Sequence, residues 1–310
     1  MKKKRCLKKW VMGILTIVVL FKLTTFLDLS NLIGSEIEKI SIEASSEYIS
    51  IEDIVSENAV VIEKDRGKIV MGKNYNERIH PASMTKVMTA MVGIENIRNL
   101  NERTNITQDI IDYCITKGLS VSGFEPGDNP KIIDLLYGIL LESGGESSIA
   151  LARYVSGTEE KFISLMNEKA SELGMKNTHF SNSTGITNSE NYSTAEDIGI
   201  LFKYALENKK FKKIVESKEY EARGVKGIFT KHTINNHLFL KRSVLDIDKN
   251  YIKCGKTGYT EAAGLCLVSS GEVNNREYIV VTAHADGNSQ TEQYNLTDTE
   301  KIYNKLKISD

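Results

Sequence analysis

A serine followed three residues later by a lysine sets the chemistry of this chain: Ser83-Met84-Thr85-Lys86. On a helix, positions i and i+3 share a face, so the lysine amine can reach the serine hydroxyl. Serine is a weak nucleophile until a base takes its proton. Lysine is that base only where desolvation or a neighbouring cation lowers its pKa. At a helix start, unpaired N–H groups and the helix dipole favour negative charge on the serine or on an attacked carbonyl oxygen. No other serine of the chain has lysine at this spacing.

Two further strings suit the same chemistry. Lys256-Thr257-Gly258 lies in a run of strand character, where Lys256 and Gly258 share a face. A cation there can depress the Lys86 pKa or attract a substrate carboxylate. Thr257 offers a hydroxyl donor, and Gly258 admits a ligand backbone. Taken alone, the string reads more readily as a surface strand with a solvated lysine. Ser143-Gly144-Gly145 falls between two apolar helical stretches and reads by itself as a tight turn. Beside Lys86, Ser143 can instead relay a proton to a leaving group.

The elements needed to hold these strings are legible. Residues 59–63 and 68–71 read as a hairpin around Lys64-Asp65-Arg66-Gly67. Pro81 opens a helix to about Ile94, since proline suits a first turn. Residues 95–129 are loop-rich, and helical periodicity returns at 132–141, 147–154, 159–173 and 194–207. Strands follow at 220–223, 228–232, 251–258, 264–270 and 277–284, then a helix near 291–306. Strands at both ends with helices between predict an α+β fold. Its antiparallel sheet is closed by the two ends of the chain, with a helical insertion.

Charge and composition narrow the setting. The chain has 310 residues and a net charge of −1. Residues 1–27 carry seven Lys and Arg and no acid, leaving 33 basic against 41 acidic residues in the rest. So acidic a body is a poor partner for nucleic acid. Trp10–Leu27 is apolar apart from Lys22 and threonines. It is long enough for a short membrane span with its positive flank inside. A cleaved signal peptide is the other reading, though no small-x-small site follows closely. Both export the body, giving a head and anchor at 1–27, a tether at 28–57 and a catalytic domain at 58–310. Cys6 falls inside and Cys114, Cys254 and Cys266 outside, an odd number that argues for buried free thiols. Cys254 and Cys266 could still meet across a hairpin. Among the five histidines no metal-ligand spacing occurs, so neither metal nor cofactor is expected.

Around these strings the chain resembles the serine-type D-alanyl-D-alanine carboxypeptidases, the low-molecular-mass penicillin-binding proteins of the peptidase S11 type. The resemblance runs from residue 59 to about 285. Besides the three strings it rests on Ala59-Val60-Val61-Ile62-Glu63, Pro81-Ala82, Asp134-Leu135-Leu136-Tyr137-Gly138, Phe180-Ser181-Asn182-Ser183-Thr184-Gly185, Ser193-Thr194-Ala195-Glu196-Asp197 and Tyr259-Thr260. It implies a β-lactamase/transpeptidase-like fold, a five-stranded antiparallel sheet flanked by helices with a helical subdomain. It further implies that Ser83 attacks the terminal D-Ala-D-Ala bond of peptidoglycan stem peptides with Lys86 as base and Ser143 as relay. The oxyanion would lie between the N–H groups of Ser83 and Tyr259, and Lys256, Thr257, Gly258, Tyr259 and Gly145 would line the substrate. β-Lactams would acylate the same serine.

Two departures stand out. Gly145 occupies the position of the family's asparagine, whose amide holds the lysine and the substrate carbonyl. The segment 285–291 after His284 lacks the arginine that many members use for the substrate carboxylate, leaving that task to Lys256 and Thr257. The β-sandwich that follows the catalytic domain in many relatives is not expected before Asp310. A class A β-lactamase would need a glutamate for the deacylating water, and Glu190-Asn191 is the nearest approach. A binding or regulatory homologue with weakened catalysis is the other alternative, motivated by Gly145. His179 and His284 read as structural, Asn182 and Thr184 as shaping a loop, and Tyr192 and Tyr259 as packing or cleft lining. The Lys/Glu runs at 207–221 read as solvated faces.

Overall fold

A computed structural model describes residues 49–226, 231–288 and 290–309. Its eight strands are β1 (Ile49–Ser50), β2 (Asn58–Glu63), β3 (Lys68–Lys73), β4 (Glu219–Arg223), β5 (Lys231–Asn235), β6 (Cys254–Thr260), β7 (Gly264–Val273) and β8 (Arg276–Ala285). The helices are α1 (Thr85–Asn96), α2 (Gln108–Thr116), α3 (Ile132–Tyr137), α4 (Gly145–Ser156), α5 (Glu159–Glu172), α6 (Ala195–Glu207), α7 (Lys209–Val215), α8 (His237–Val244) and α9 (Tyr294–Ser309).

The main sheet runs β1-β3-β2-β8-β7-β6, so strands from the two ends of the domain meet at its middle as β2 and β8. All of β2 is buried, as expected of a strand with neighbours on both sides and helices on both faces. The sheet has six strands, not five, and is not wholly antiparallel: β1 pairs in parallel with the edge of β3. A two-residue strand leaves no alternating pattern to find. Residues 51–57, grouped with the tether on sequence grounds, also pack onto the domain. Ile51 and Ile54 are buried, and Asp298 of α9 accepts from the Ser56 N–H (2.7 Å) and hydroxyl (2.8 Å). The apolar run at 10–27 lies outside the described residues. No helix among those described is long and apolar enough to cross a membrane.

One face of the sheet packs against α9, with Val61, Leu267 and Val280 meeting Leu296, Ile302, Tyr303 and Leu306. Each such side chain contributes about 1.5–3 kcal/mol on burial. The helical lobe is built around α1, ten of whose twelve residues are buried. A helix apolar nearly all round belongs in an interior.

The antiparallel hairpin β4–β5 stands apart as its own sheet. The sequence reading places it at 220–223 and 228–232; its described strands are Glu219–Arg223 and Lys231–Asn235, and 227–230 lie outside the described residues. Tyr220 stacks on Tyr137 and donates to Asp134, fixing the hairpin to α3. Three described helices have no counterpart in the sequence reading: α2 within the loop-rich stretch, α7 within the Lys/Glu-rich run, where Phe211, Ile214 and Val215 are buried, and α8. α2 buries only Ile110 and Cys114, too few apolar positions to show a period. The three described cysteines are free and buried. Cys254 pairs in register with Ser270, and Cys266 with Gly258, so the two thiols do not face each other.

Candidate active site

Ser83 sits in a single 3₁₀ turn, Ala82–Met84, between Pro81 and α1. The expected helix therefore starts tighter than an α-helix. The turn is closed by Met84 N–H to Pro81 O at 3.1 Å, and Ala82 takes φ = 45°. Left-handed backbone at a non-glycine residue costs roughly 1–2 kcal/mol and is sustained only by its surroundings. Those surroundings are two glycines. Gly185, at φ = 82°, presses so closely that a Cβ there would lie 1.9 Å from Ala82 O. Gly258 of β6 approaches from the sheet, where a Cβ would lie 3.0 Å from Ala82 Cβ and 3.1 Å from Ser83 N. β6, the edge of the sheet, is thus seated directly on the turn that carries Ser83.

Lys86, one turn into α1, is 2% exposed. Its Nζ donates to Ser83 Oγ at 3.1 Å and to Thr184 O at 2.5 Å. Burial pushes this amine down to about 8, opposed by the negative charge of Glu146. Once neutral, the amine can keep its bond to Thr184 and turn its lone pair to the serine hydroxyl across the same 3.1 Å. The Thr184 carbonyl is itself fixed. Asn182 Oδ1 accepts from the N–H groups of Thr184, Gly185 and Ile186, while Thr89 Oγ1 donates to Ser183 O and Glu159 accepts from Ser183. Asn182 and Thr184 do shape the loop, and Thr184 goes further by holding the lysine through its backbone.

Lys256 is buried on β6 beside this pair, with Nζ donating to Thr257 O at 2.9 Å. Burial, then the charges of Lys86 and Lys241, hold its amine well below the ordinary lysine range. The suggestion that Lys256 depresses Lys86 is therefore recast: burial lowers both amines, and the repulsion is felt at Lys256. Thr257 is half-buried and Tyr259 is 41% exposed at the cleft edge. Thr260 and Thr187, joined at 2.7 Å through their hydroxyls, tie the end of β6 to the Thr184 loop. The loop after β8 brings no arginine. Instead Gln293, at its end, accepts from Lys241 of α8 at 2.6 Å.

The third corner is built differently from the other two. α3 widens into a π-turn at Gly138–Glu142, and Ser143 follows at φ = 66°. Glu142 accepts from the N–H of Asn235, linking this turn to β5. The Ser143 hydroxyl is buried without a hydrogen-bond partner, so the structure does not join it to Lys86. Gly145 N–H donates to Ser120 O at 2.7 Å, and a Cβ there would meet Leu119 at 3.0 Å and Ser120 O at 3.2 Å. Leu119 thus occupies the space an asparagine side chain would need. Behind it lies Glu146, fully buried, accepting from the Ser122 N–H (2.7 Å) and hydroxyl (2.6 Å), with its other oxygen unpartnered. Burial raises its pKa, opposed by the Ser122 hydrogen bonds. Glu146, Leu119 and Lys241 were not picked out from the sequence. Neighbourhood in space was their only signal.

The remaining candidates are structural. His179 pairs with Tyr192 through the backbone and contacts Glu190 O at 2.6 Å, and Arg78 stacks over Tyr192. His284 faces Glu57 at 3.3 Å. Glu190 is exposed, unlike a glutamate that holds a deacylating water.

Comparison with known proteins identifies the family and the fold. The D-alanyl-D-alanine carboxypeptidase family model matches residues 43–287. D-alanyl-D-alanine carboxypeptidase DacF of Bacillus subtilis is 35% identical over 226 residues, 73% of this chain and 56% of its own length. DacC of Escherichia coli is 31% identical over 78% of this chain and 59% of its own length. The chain thus spans rather more than half of these relatives. A crystallised mutant of the Streptomyces K15 DD-transpeptidase superposes with TM-score 0.75 at 27% identity, covering 82% of this chain and 98% of that one.

Proposed function

The chain belongs to the D-alanyl-D-alanine carboxypeptidase family, and on that premise we propose that it is a serine DD-carboxypeptidase acting on peptidoglycan stem peptides. Ser83 attacks the carbonyl of the penultimate D-alanine while neutral Lys86 takes its proton. The C–N bond then breaks, the proton passes to the leaving amine, and D-alanine departs from an ester on Ser83. Water hydrolyses the ester. β-Lactams acylate the same oxygen. The observation that carries this reading is the buried Lys86 amine, 3.1 Å from Ser83 Oγ and brought down to about 8. The domain works outside the cell, tethered by the apolar run 10–27 or released by its cleavage. The lysine-rich flank and the acidic body support that setting.

The test is release of D-alanine from diacetyl-Lys-D-Ala-D-Ala together with labelling by fluorescent penicillin. Both should vanish in Ser83→Ala, and labelling that persists there would remove Ser83 from its role. A second reading, a penicillin-binding regulator without turnover, is favoured by Gly145 and the unpartnered Ser143 hydroxyl. Labelling without D-alanine release would select it.

A further inference from the structure

The Ser143-Gly144-Gly145 turn combines left-handed backbone at Ser143 (φ = 66°) with a buried hydroxyl that has no hydrogen-bond partner. Both features are unfavourable, and they persist only where the surroundings over-determine them. Local bonds hold Gly144, whose N–H donates to Gly138 O at 3.0 Å and whose carbonyl accepts from the Ser148 hydroxyl at 2.8 Å. The two flanks of the turn are held from β5 instead. On one side Glu142 Oε1 accepts from the Asn235 N–H at 2.8 Å. On the other, the Gly145 N–H reaches Ser120 O and Glu146 accepts from the N–H and hydroxyl of Ser122. That stretch is tied back to β5 in turn, because His232 Nε2 lies 2.6 Å from Ser122 O. A carbonyl only accepts, so Nε2 carries the proton and donates.

β5 thus closes a ring of hydrogen bonds around the turn, attached at Asn235 and, three residues earlier, at His232. The His232 ring is itself packed. Its centroid lies 5.0 Å from that of Phe124, and a Cβ on Gly123 would lie 2.7 Å from its Cε1. The Tyr220 contacts with Tyr137 and Asp134 secure the hairpin as a whole. Held in this way, the Ser143 hydroxyl is committed to no protein acceptor and is free to donate to the nitrogen of a leaving group.

We propose that His232 and Glu142 are positioning residues for Ser143, fixing its hydroxyl where it hands a proton to the departing amine as the Lys86 ammonium returns one to Ser143 Oγ. This rests on the acyl-transfer reading of Ser83, and the test separates the two. The assay compares kcat/KM for diacetyl-Lys-D-Ala-D-Ala, whose leaving amine needs a proton, with that for diacetyl-Lys-D-Ala-thioglycolate, whose thiolate leaves without one. His232→Phe keeps a packed ring and removes the donor. It should slow the amide about a hundredfold, the size of a misplaced reacting group, and leave the thioester unchanged. His232→Gln, which restores an N–H, should recover the amide rate, and Glu142→Leu should behave as His232→Phe does. In a Ser143→Ala background neither substitution should slow the amide further. Should a variant melt lower, the ratio of the two rates in one sample does not depend on how much of it is folded. No loss, an equal loss on both substrates, or a loss that adds in full to that of Ser143→Ala overturns the proposal. Absence of D-alanine release by the unmutated protein would instead remove the carboxypeptidase reading. The rate of acylation by penicillin, where an amide nitrogen also leaves, then replaces the amide arm. A protein acylated by neither penicillin nor the thioester would overturn both.

Discussion

Acylation of Ser83 should accelerate with pH through a single ionisation near 8, because only neutral Lys86 can take the serine proton. Lys86 is brought down from 10.5 to about 8 by burial, which corresponds to about 3 kcal/mol against its charged form. At pH 7 a lysine at about 8 is roughly one-tenth neutral, whereas one at 10.5 is neutral about once in 3,000. Burial therefore raises the working fraction of base about 300-fold. The assay is kcat/KM for D-alanine release from pH 6 to 10, which reports ionisations of the free enzyme. Its logarithm should climb with unit slope and level off near 8. Glu146→Gln removes the anion that opposes the shift, so the rise should move to lower pH. The same ionisation bears on stability. Below 8 the fold carries the cost of a buried ammonium, and between 8 and 10.5 the unfolded chain holds the proton that the folded chain has lost. For this group alone, stability therefore rises with pH across that window. A rate that rises only near 10, or a limb indifferent to Glu146→Gln, would refute the assignment of Lys86 as the base tuned by burial.

Gly185→Ala should abolish penicillin labelling and lower the melting temperature. Its Cβ would fall 1.9 Å from Ala82 O at a φ of 82°, a backbone clash on top of roughly 1–3 kcal/mol of conformational strain. Retained labelling with wild-type rate would show that Ser83's turn does not depend on this contact. Gly145→Asn, which restores the family's residue, should destabilise by about 1–3 kcal/mol through overpacking against Leu119 and should not speed D-alanine release. Pairing it with Leu119→Ala should recover the stability, as read by thermal melting.

The two corners of the site that sequence made legible are those with local periodicity. Ser83 and Lys86 share a helical face by spacing alone, and Lys256 and Gly258 share a strand face by alternation. The sheet's closure by β2 and β8 followed from apolar runs at the two ends of the domain. What sequence did not show depends on contacts between distant segments. Leu119 looks like any loop leucine until the 118–121 stretch is folded across the start of α4. Glu146 looks like a first-turn acid of an exposed helix, yet it is sealed beneath Ser122. β1 is too short for any pattern, and α8 shows too few buried residues to announce itself.

Burial serves opposite ends at the two site lysines, since Lys86 must surrender a proton and Lys256 must hold one to attract an anion. Both amines are depressed by burial, and the charge of Lys86 repels that of Lys256. A carboxylate arriving at Lys256 would offset the burial of that amine and favour its charged form. The charge so fixed on Lys256 then weighs against a second one on Lys86, because the interaction between two amines is mutual. On the proposed mechanism, a substrate carrying a carboxylate would thus favour the neutral form of the base that activates Ser83. Glu146 sets the limit of that effect from the other side, since its charge favours the ammonium form of Lys86.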